Sequence, residues 1–520
     1  MTRSFSILED MNTTTLAALA KILRDEKILA SDASSLPDVR VTGCACDSRV
    51  VRPGDLFVCK GVMFRDEFLT SAVERGAVAY LCDPARADGL AAAAPGVPTL
   101  VSGDVRRAMG LVAPVAWGHP DREMRVAGMT GTKGKSTVAY MLRSIVDGNE
   151  PYSRASVMGS IETYDGVERL ESHNTTPEAP DLWRHLRNAL DSGHDPMIME
   201  VSSQGLKYDR TVGLRLSVGA WLNIGRDHIS PAEHPDFEDY FASKLKIFSM
   251  CDVAVVNLDT DELDRVMAAS EAAGEVRTFS ATRDDADYWA SDVQTGFGTI
   301  TFTAHTPSWT ERVMLAMPGL FNVDNALCAI AMADIMGFGL DQICDGLSRA
   351  HVPGRMQICE SSTNHVVGLV DYAHNKLSYQ RFFGSVTKEF PGRRISVVLG
   401  APGGKAQERR RELPEEASRW ADLLVYTEED PARESVGSIC AEMAANTPAG
   451  QDYEVILDRT RAIRHVVQLA QESPDDWLVC LLAKGDEVDQ HVGEKFVPMV
   501  PDGEVFARAM HDYARPGDFE

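Results

Sequence analysis

Short apolar runs alternate with helical patterns along most of this chain. Val126 to Met129 precedes a glycine-rich segment, and Val138 to Val146 then reads as a helix. Met197 to Val201, Val218 to Leu222 and Val253 to Val256 are short and almost wholly apolar, as expected of strands covered on both faces. The same form returns later. Val366 to Val370 leads into Asp371-Tyr372-Ala373-His374-Asn375, and Ile395 to Leu399 into Gly400-Ala401-Pro402-Gly403-Gly404-Lys405. Leu423 to Tyr426 leads toward Glu429-Asp430-Pro431, and Trp477 to Leu482 toward Lys484-Gly485. Such alternation predicts an α/β fold of mostly parallel sheets flanked by helices, with functional groups at the carboxyl ends of the strands. Turn signals at His119-Pro120 and Pro353-Gly354 predict three α/β domains, 1–120, 121–350 and 351–520, whose clefts could take more than one substrate.

Composition narrows the class. At 520 residues the chain is too long for one core, and 44% hydrophobic with 25% charged residues is ordinary globular composition. A net charge of -25 argues against a nucleic-acid surface, and the densest basic cluster, Arg409-Arg410-Arg411, is bounded by Glu408 and Glu412 like a solvated helix face. Cys44 and Cys46 form a lone C-x-C without a second pair, so the 10 cysteines read as free thiols in a reducing compartment. No leader pattern and no run long enough to span a bilayer is present, and a cytoplasmic address is expected.

Chemistry concentrates in Gly131-Thr132-Lys133-Gly134-Lys135-Ser136-Thr137, between a strand and a helix. Glycines let backbone N–H groups approach phosphates, Lys135 supplies a point charge for them, and Ser136 can hold Mg²⁺. The strict phosphate-loop pattern has a glycine where Met129 stands, so T-G-T-x-G-K-S is a variant. Glu200 ends a strand, where it serves either as a Mg²⁺ ligand or as a cap or surface acid. Asp227-His228 follows another strand and reads as a structural hydrogen bond or as part of a metal site. Phe237, Tyr240, Phe241, Leu245 and Phe248 form a helix stripe, and Lys244 lies on it. A lysine there either snorkels to the edge or, if desolvated, becomes a neutral amine open to modification. Thr176 before Pro177 predicts a helix N-cap. Asp47-Ser48-Arg49 reads as a polar turn before a strand.

Together these segments resemble the Mur ligases, ATP-dependent amide-forming enzymes of peptidoglycan precursor assembly. The likeness is greatest to the type that extends UDP-N-acetylmuramoyl-L-alanyl-D-glutamate by one amino acid. It rests on the turn at Ser48, T-G-T-K-G-K-S-T, Asn174-Thr175-Thr176-Pro177, Glu200-Val201-Ser202-Ser203, Asp227-His228 with Tyr240 to Lys244, Gly319-Leu320-Phe321-Asn322, Pro353-Gly354-Arg355-Met356 and Asp371 to Asn375. The resemblance implies a UDP-binding N-terminal domain, a central ATPase domain and a C-terminal Rossmann-like domain that takes the amino acid. It implies that Gly131 to Thr137, Asn322, Arg355, Asp371 and Asn375 bind ATP. Ser136, Glu200, His228 and a carbamylated Lys244 would hold Mg²⁺, with Lys135, Glu200, His228 and Lys244 catalytic. Ser48, Thr175, Thr176, Ser202 and Arg210 would grip the UDP-muramoyl-dipeptide, and Lys405, Asp430, Pro431, Ala432 and Glu487 the incoming amino acid.

Members that add meso-diaminopimelate carry Asp-Asn-Pro-Arg where this chain has Glu429-Asp430-Pro431-Ala432. Without that arginine the resemblance favours L-lysine, with ornithine or diaminopimelate as alternatives. Ala483-Lys484-Gly485-Asp486-Glu487 also departs from the usual Gly-Lys-Gly-His-Glu, and Pro501-Asp502-Gly503-Glu504 lacks the family's arginine. Other readings are a folylpolyglutamate synthase-type ligase or a non-catalytic ATP-binding regulator. The expected partners are small molecules only, and the expected state is a monomer.

Overall fold

Every strand-like apolar run named above forms a strand in the computed structural model. It describes residues 14–513 except 32–35, 38, 151, 173, 228, 231–232, 360 and 362–364. The chain divides into two compact units, Met1–Ser280 with Cys328–Ile343, and Ala281–Leu327 with Cys344–Glu520.

After an antiparallel pair, Thr14–Thr15 with Arg40–Val41, the first unit holds four parallel strands in the order Gly43–Ala45, Asp55–Val58, Ala79–Cys82, Thr99–Val101. Helices Leu16–Asp25 and Val105–Ala116 cover this sheet, capped by Thr15 and Asp104. Parallel strands also build the sheet that follows, in the order Ser156–Met158, Met197–Glu200, Val126–Thr130, Leu216–Trp221, Cys251–Asn257, Glu275–Ser280. Glu162–Tyr164 and Arg169–Glu171 extend it antiparallel beyond Ser156–Met158. All five residues of Val126–Thr130 are buried, because helices lie over both faces of a parallel sheet. Leu16, Leu23 and Trp117 share one apolar core with Val126, Met199 and Trp221, which makes a single unit of the two sheets.

The second unit holds the antiparallel strands Tyr288–Gly296, Thr299–His305 and Thr310–Leu315. Its main sheet runs Gln357–Ile358, Val366–Asp371, Trp477–Leu482, Arg394–Leu399, Leu423–Tyr426, Tyr453–Val455, parallel except for the first pair. Strand order departs from chain order, and the loops at the carboxyl ends of neighbouring strands therefore meet.

Two expectations are corrected. The helix after Thr176 starts at Ala179 with Glu178 as its N-cap, and Pro180 occupies the first turn. The Thr176 hydroxyl instead donates to Glu200 O (2.9 Å) and accepts from Ser202 N (2.9 Å), tying two strand-end segments together. Arg410 is not solvated. It is buried, with its guanidinium on Glu434 (2.8 Å) and Glu442 (2.9 Å), because helix Arg409–Ala417 turns that face toward helix Val436–Ala445.

No disulfide forms among the described residues, and no helix among them is long and apolar enough to cross a membrane.

Candidate active site

The strand Val126–Thr130 delivers its chain into Gly131 at the carboxyl edge of the central sheet. A Cβ on Gly131 would lie 2.8 Å from Leu222 Cβ and 3.2 Å from Asn223 N, so a side chain there would push the loop off its neighbour. Gly134 sits at φ 92°, which an L side chain rarely adopts, and it caps the helix Lys135–Asp147. Asn223 holds the loop from outside. Its side chain accepts from Lys133 N (2.9 Å) and donates to Lys133 O (3.0 Å), and its carbonyl accepts from Thr132 N (3.0 Å). The Thr132 hydroxyl lies 3.0 Å from Tyr240 Oη, and Lys133 pairs with Asp227 at 3.2 Å.

Two lysines converge on one carbonyl. Lys135 Nζ donates to Gly131 O at 2.9 Å, and Lys244 Nζ donates to the same oxygen at 3.0 Å. Lys244 is 2% exposed, lies over the Tyr240 ring at 4.9 Å, and sits on helix Phe237–Leu245 among buried Tyr240 and Phe241. Burial, and then the charge of Lys135, push its amine well below the ordinary lysine range, while Asp227 works the other way. Of the two readings of Lys244, the snorkelling one is therefore excluded.

Ser136, one residue beyond Lys135, donates to Glu200 Oε1 at 2.8 Å. Ser160 N (2.8 Å) and Ser160 Oγ (3.1 Å) complete the carboxylate's partners. A hydroxyl and a carboxylate side by side at a phosphate loop are the hard oxygen donors that a Mg²⁺ ion prefers, so the residues present fit such an ion. His228 lies outside the described residues.

Along the same edge, Thr175 Oγ1 is 2.9 Å from Ser160 Oγ, and Ser202 caps the short helix Ser203–Lys207 by accepting from Gly205 N (3.0 Å). Arg210 donates to Thr176 O (2.9 Å) and pairs with Glu178 (2.9 Å), which also holds Lys60, just beyond the strand Asp55–Val58, at 2.8 Å. Ser48 lies in the expected turn, between Asp47 and Arg49, which pair with each other. Cys46, two residues earlier, contacts Asp181 at 3.9 Å.

In the second unit, Asp371 accepts from Met356 N (2.9 Å) and Ala373 N (2.8 Å), which draws it against the turn carrying Arg355. Arg355 stacks over Tyr372 at 4.2 Å, and Asn375 caps helix Lys376–Glu389 in a capping box with Ser378. Asn322 opens helix Asn322–Ile335, donating to Pro318 O (2.7 Å) and accepting from Asn325 (2.8 Å). At the carboxyl ends of the main sheet, Gly403 N donates to Asp430 O (3.0 Å), which sets the exposed Lys405 loop against Asp430 and Pro431. Lys484 pairs with both Asp430 (2.9 Å) and Glu487. Ala432 bonds through its backbone to His491 O (3.0 Å), while Arg433 turns outward to pair with Glu494 at the surface.

Residues 129–333 match the family described as Mur ligase middle domain, and residues 354–485 that described as Mur ligase, glutamate ligase domain. The chain belongs to the Mur ligase family. A UDP-N-acetylmuramyl-tripeptide synthetase of Lactobacillus delbrueckii subsp. bulgaricus is 33% identical to this Mur ligase, over 91% of this chain and 94% of the relative. A UDP-N-acetylmuramoyl-L-alanyl-D-glutamate--L-lysine ligase of Enterococcus faecalis is 32% identical, over 87% of this chain and 88% of the relative. Among solved structures, a UDP-N-acetylmuramoyl-L-alanyl-D-glutamate--2,6-diaminopimelate ligase shares the fold, with a TM-score of 0.63 and 24% identity over 95% of this chain and 99% of that one.

The Mur ligase also holds a cluster that the sequence motifs did not include. Asp165 and Glu168 meet His185, with Asp165 Oδ2 2.6 Å from His185 Nδ1, in a constellation of metal-ligand types. Arg184 already pairs with Glu168, and Asn188 donates to Asp165 at 2.8 Å, so the acids are neutralised from within. Burial works to raise the Asp165 carboxyl, but the hydrogen bonds from His185, Glu168 N, Asn188 and Val167 N outweigh it and hold it at about 2. The i, i+3 spacing of Asp165 and Glu168 was the only available signal, and their partners come from a distant helix.

Proposed function

We propose that this chain is an ATP-dependent ligase that adds L-lysine to UDP-N-acetylmuramoyl-L-alanyl-D-glutamate through an acyl phosphate. The observation that carries the reading is the meeting of Lys135, Ser136, Glu200 and Lys244 around one glycine loop. That arrangement suits transfer of a phosphoryl group to a carboxylate, a step that brings anions together.

Lys135 and the N–H groups that open helix Lys135–Asp147 would take the phosphates of ATP. Asn322, Arg355, Asp371 and Asn375 would also contact the nucleotide. Ser136, Glu200 and a carbamylated Lys244, with His228, would hold Mg²⁺, which when bound screens phosphate charge. A neutral Lys244 amine can attack CO₂, forming an N–C bond and releasing a proton, and this turns a buried amine into a carboxylate donor. Ser48, Thr175, Thr176, Ser202 and Arg210 would orient the UDP-muramoyl-dipeptide so that its D-glutamyl side-chain carboxylate takes the γ-phosphoryl group and ADP departs.

Lys405 would receive the carboxylate of the incoming amino acid, and Asp430 and Glu487 its side-chain ammonium. The α-amine then attacks the acyl carbon, loses a proton and expels phosphate. Lysine is favoured over diaminopimelate because Ala432 offers no cation and Arg433 is turned away to Glu494. Exclusion of water from the acyl phosphate would protect it from hydrolysis.

The test is purified chain with ATP, Mg²⁺, UDP-muramoyl-dipeptide and L-lysine, ornithine or meso-diaminopimelate, with phosphate release and product mass recorded. Muramoyl-dependent phosphate release with lysine is expected. Better turnover with diaminopimelate would overturn the specificity. Turnover only with a folate-type acceptor, or none at all, would overturn the ligase assignment in favour of the folylpolyglutamate synthase-type or regulator reading.

A further inference from the structure

Asp430 and Glu487, the two carboxylates that would face the incoming side chain, are already bridged by an ammonium of the chain itself. Lys484 Nζ donates to Asp430 Oδ1 at 2.9 Å and to Asp489 O at 3.0 Å, and it pairs with Glu487 Oε2. Three donors meet three acceptors, so this ammonium is saturated. It is 1% exposed. Burial works to lower the Lys484 amine, but the charges and hydrogen bonds of Glu487 and Asp430 outweigh it and hold the group above the ordinary lysine range. Burial works to raise the Asp430 carboxyl, but the charge of Lys484, the hydrogen bonds from His491 N and Lys484, and the charge of Lys405 together outweigh it and hold the group below the usual carboxylate range.

The backbone around these residues needs holding. Asp430 (φ 35°), Ala432 (φ 48°) and Ala483 (φ 85°) are all left-handed without being glycine. Such residues persist where their surroundings over-determine them. Asp430 and Ala432 lie beyond the strand Leu423–Tyr426, and Ala483 follows Trp477–Leu482, two strands that are not neighbours in the sheet. Lys484 bridges their loops, beside two further links, His491 N donating to Asp430 Oδ1 (3.0 Å) and Gln490 Nε2 donating to Glu428 (3.1 Å).

We propose that Lys484 is a positioning and specificity residue of the amino-acid site. It fixes the Asp430 and Glu487 loops in register and cancels one of their two charges, so that one net negative charge faces one incoming ammonium. The proposal rests on the placement of the amino-acid site given above. With Lys484 neutral, two adjacent carboxylates would repel, separate and lose the geometry that selects a monocationic side chain.

The test uses Lys484→Met, Lys484→Gln and Lys484→Arg in the full chain. Steady-state KM is measured for L-lysine, ATP and the UDP-muramoyl-dipeptide. Formation of the acyl phosphate without amino acid is followed by trapping with hydroxylamine as the hydroxamate. Expected is a rise of at least tenfold in lysine KM for the Met and Gln variants, with the other two KM values within twofold and hydroxamate yield retained. Lys484→Arg should recover most of the lost lysine affinity.

An unchanged lysine KM in either neutral variant overturns the proposal. So does loss of hydroxamate formation in both, which would make Lys484 a residue of fold stability only. If the unaltered chain forms neither hydroxamate nor product, the ligase reading beneath the proposal fails. If it forms both while the variants keep their lysine KM, the proposal alone fails.

Discussion

Lys244 illustrates how one side chain acquires its chemistry from its surroundings. Its amine shares the Gly131 carbonyl with Lys135 and is shut away from water, so protonation places two like charges close together in a poorly screened site. A neutral amine is the state that reacts with CO₂. Lys244→Ala is therefore expected to lower turnover at least a hundredfold, and bicarbonate, a small acid able to enter the space left behind, should partly restore it. Turnover equal to that of the unaltered chain would remove Lys244 from the chemistry. Ser136 makes a different prediction. Its hydroxyl lies 2.8 Å from Glu200, so Ser136→Ala leaves the carboxylate but deletes one oxygen donor. The magnesium concentration for half-maximal activity should rise about tenfold, with KM for the UDP-muramoyl-dipeptide little changed, and a magnesium titration at fixed ATP checks this.

At the scale of elements, the glycine loop is a packing problem as well as a phosphate cradle. A methyl on Gly131 would meet Leu222 Cβ at 2.8 Å, and backbone on that side cannot yield without moving the end of the neighbouring strand. Gly131→Ala should cost about 1–3 kcal/mol of stability and raise KM for ATP, read by denaturant unfolding and by kinetics on the same preparation. Much of this loop was legible in the chain itself, because strand, glycines, lysine and helix are consecutive. The buried strands were legible for a similar reason, since runs such as Val126 to Met129 are covered on both faces. Long-range pairs were not. Nothing near Lys484 announces Asp430, and nothing near Arg410 announces Glu434 or Glu442, so a cluster that reads as solvated becomes buried once two helices meet. Thr176 had the local signature of a cap, but strand ends brought Glu200 O and Ser202 N within its reach, and those partners won.

For the whole molecule, two buried acids pull stability in opposite directions with pH. Asp165 in the first unit is held at about 2 against an ordinary 3.8, so its contribution is present above pH 3.8 and is lost as pH falls toward 2. Glu429 in the second unit is the reverse. Burial pushes it from 4.5 to about 7, with Asp430 adding to the rise while Arg409, Arg459 and Lys484 oppose it, and its Oε2 has no hydrogen-bond partner among the described residues. The folded chain keeps a proton that the unfolded chain has released, so stability is whole below pH 4.5 and falls as pH rises to 7. Glu429→Gln removes this titration while leaving the rest of a chain of net charge -25 almost as it was. Repulsion among those charges is common to both proteins and cancels in their difference. The stability of the Gln variant relative to the unaltered chain should therefore increase by roughly 3 kcal/mol between pH 4.5 and pH 8, measured by denaturant unfolding at each pH. A difference that stays flat across that range would mean that Glu429 is ionised in the fold, with Arg409, Arg459 and Lys484 outweighing its burial.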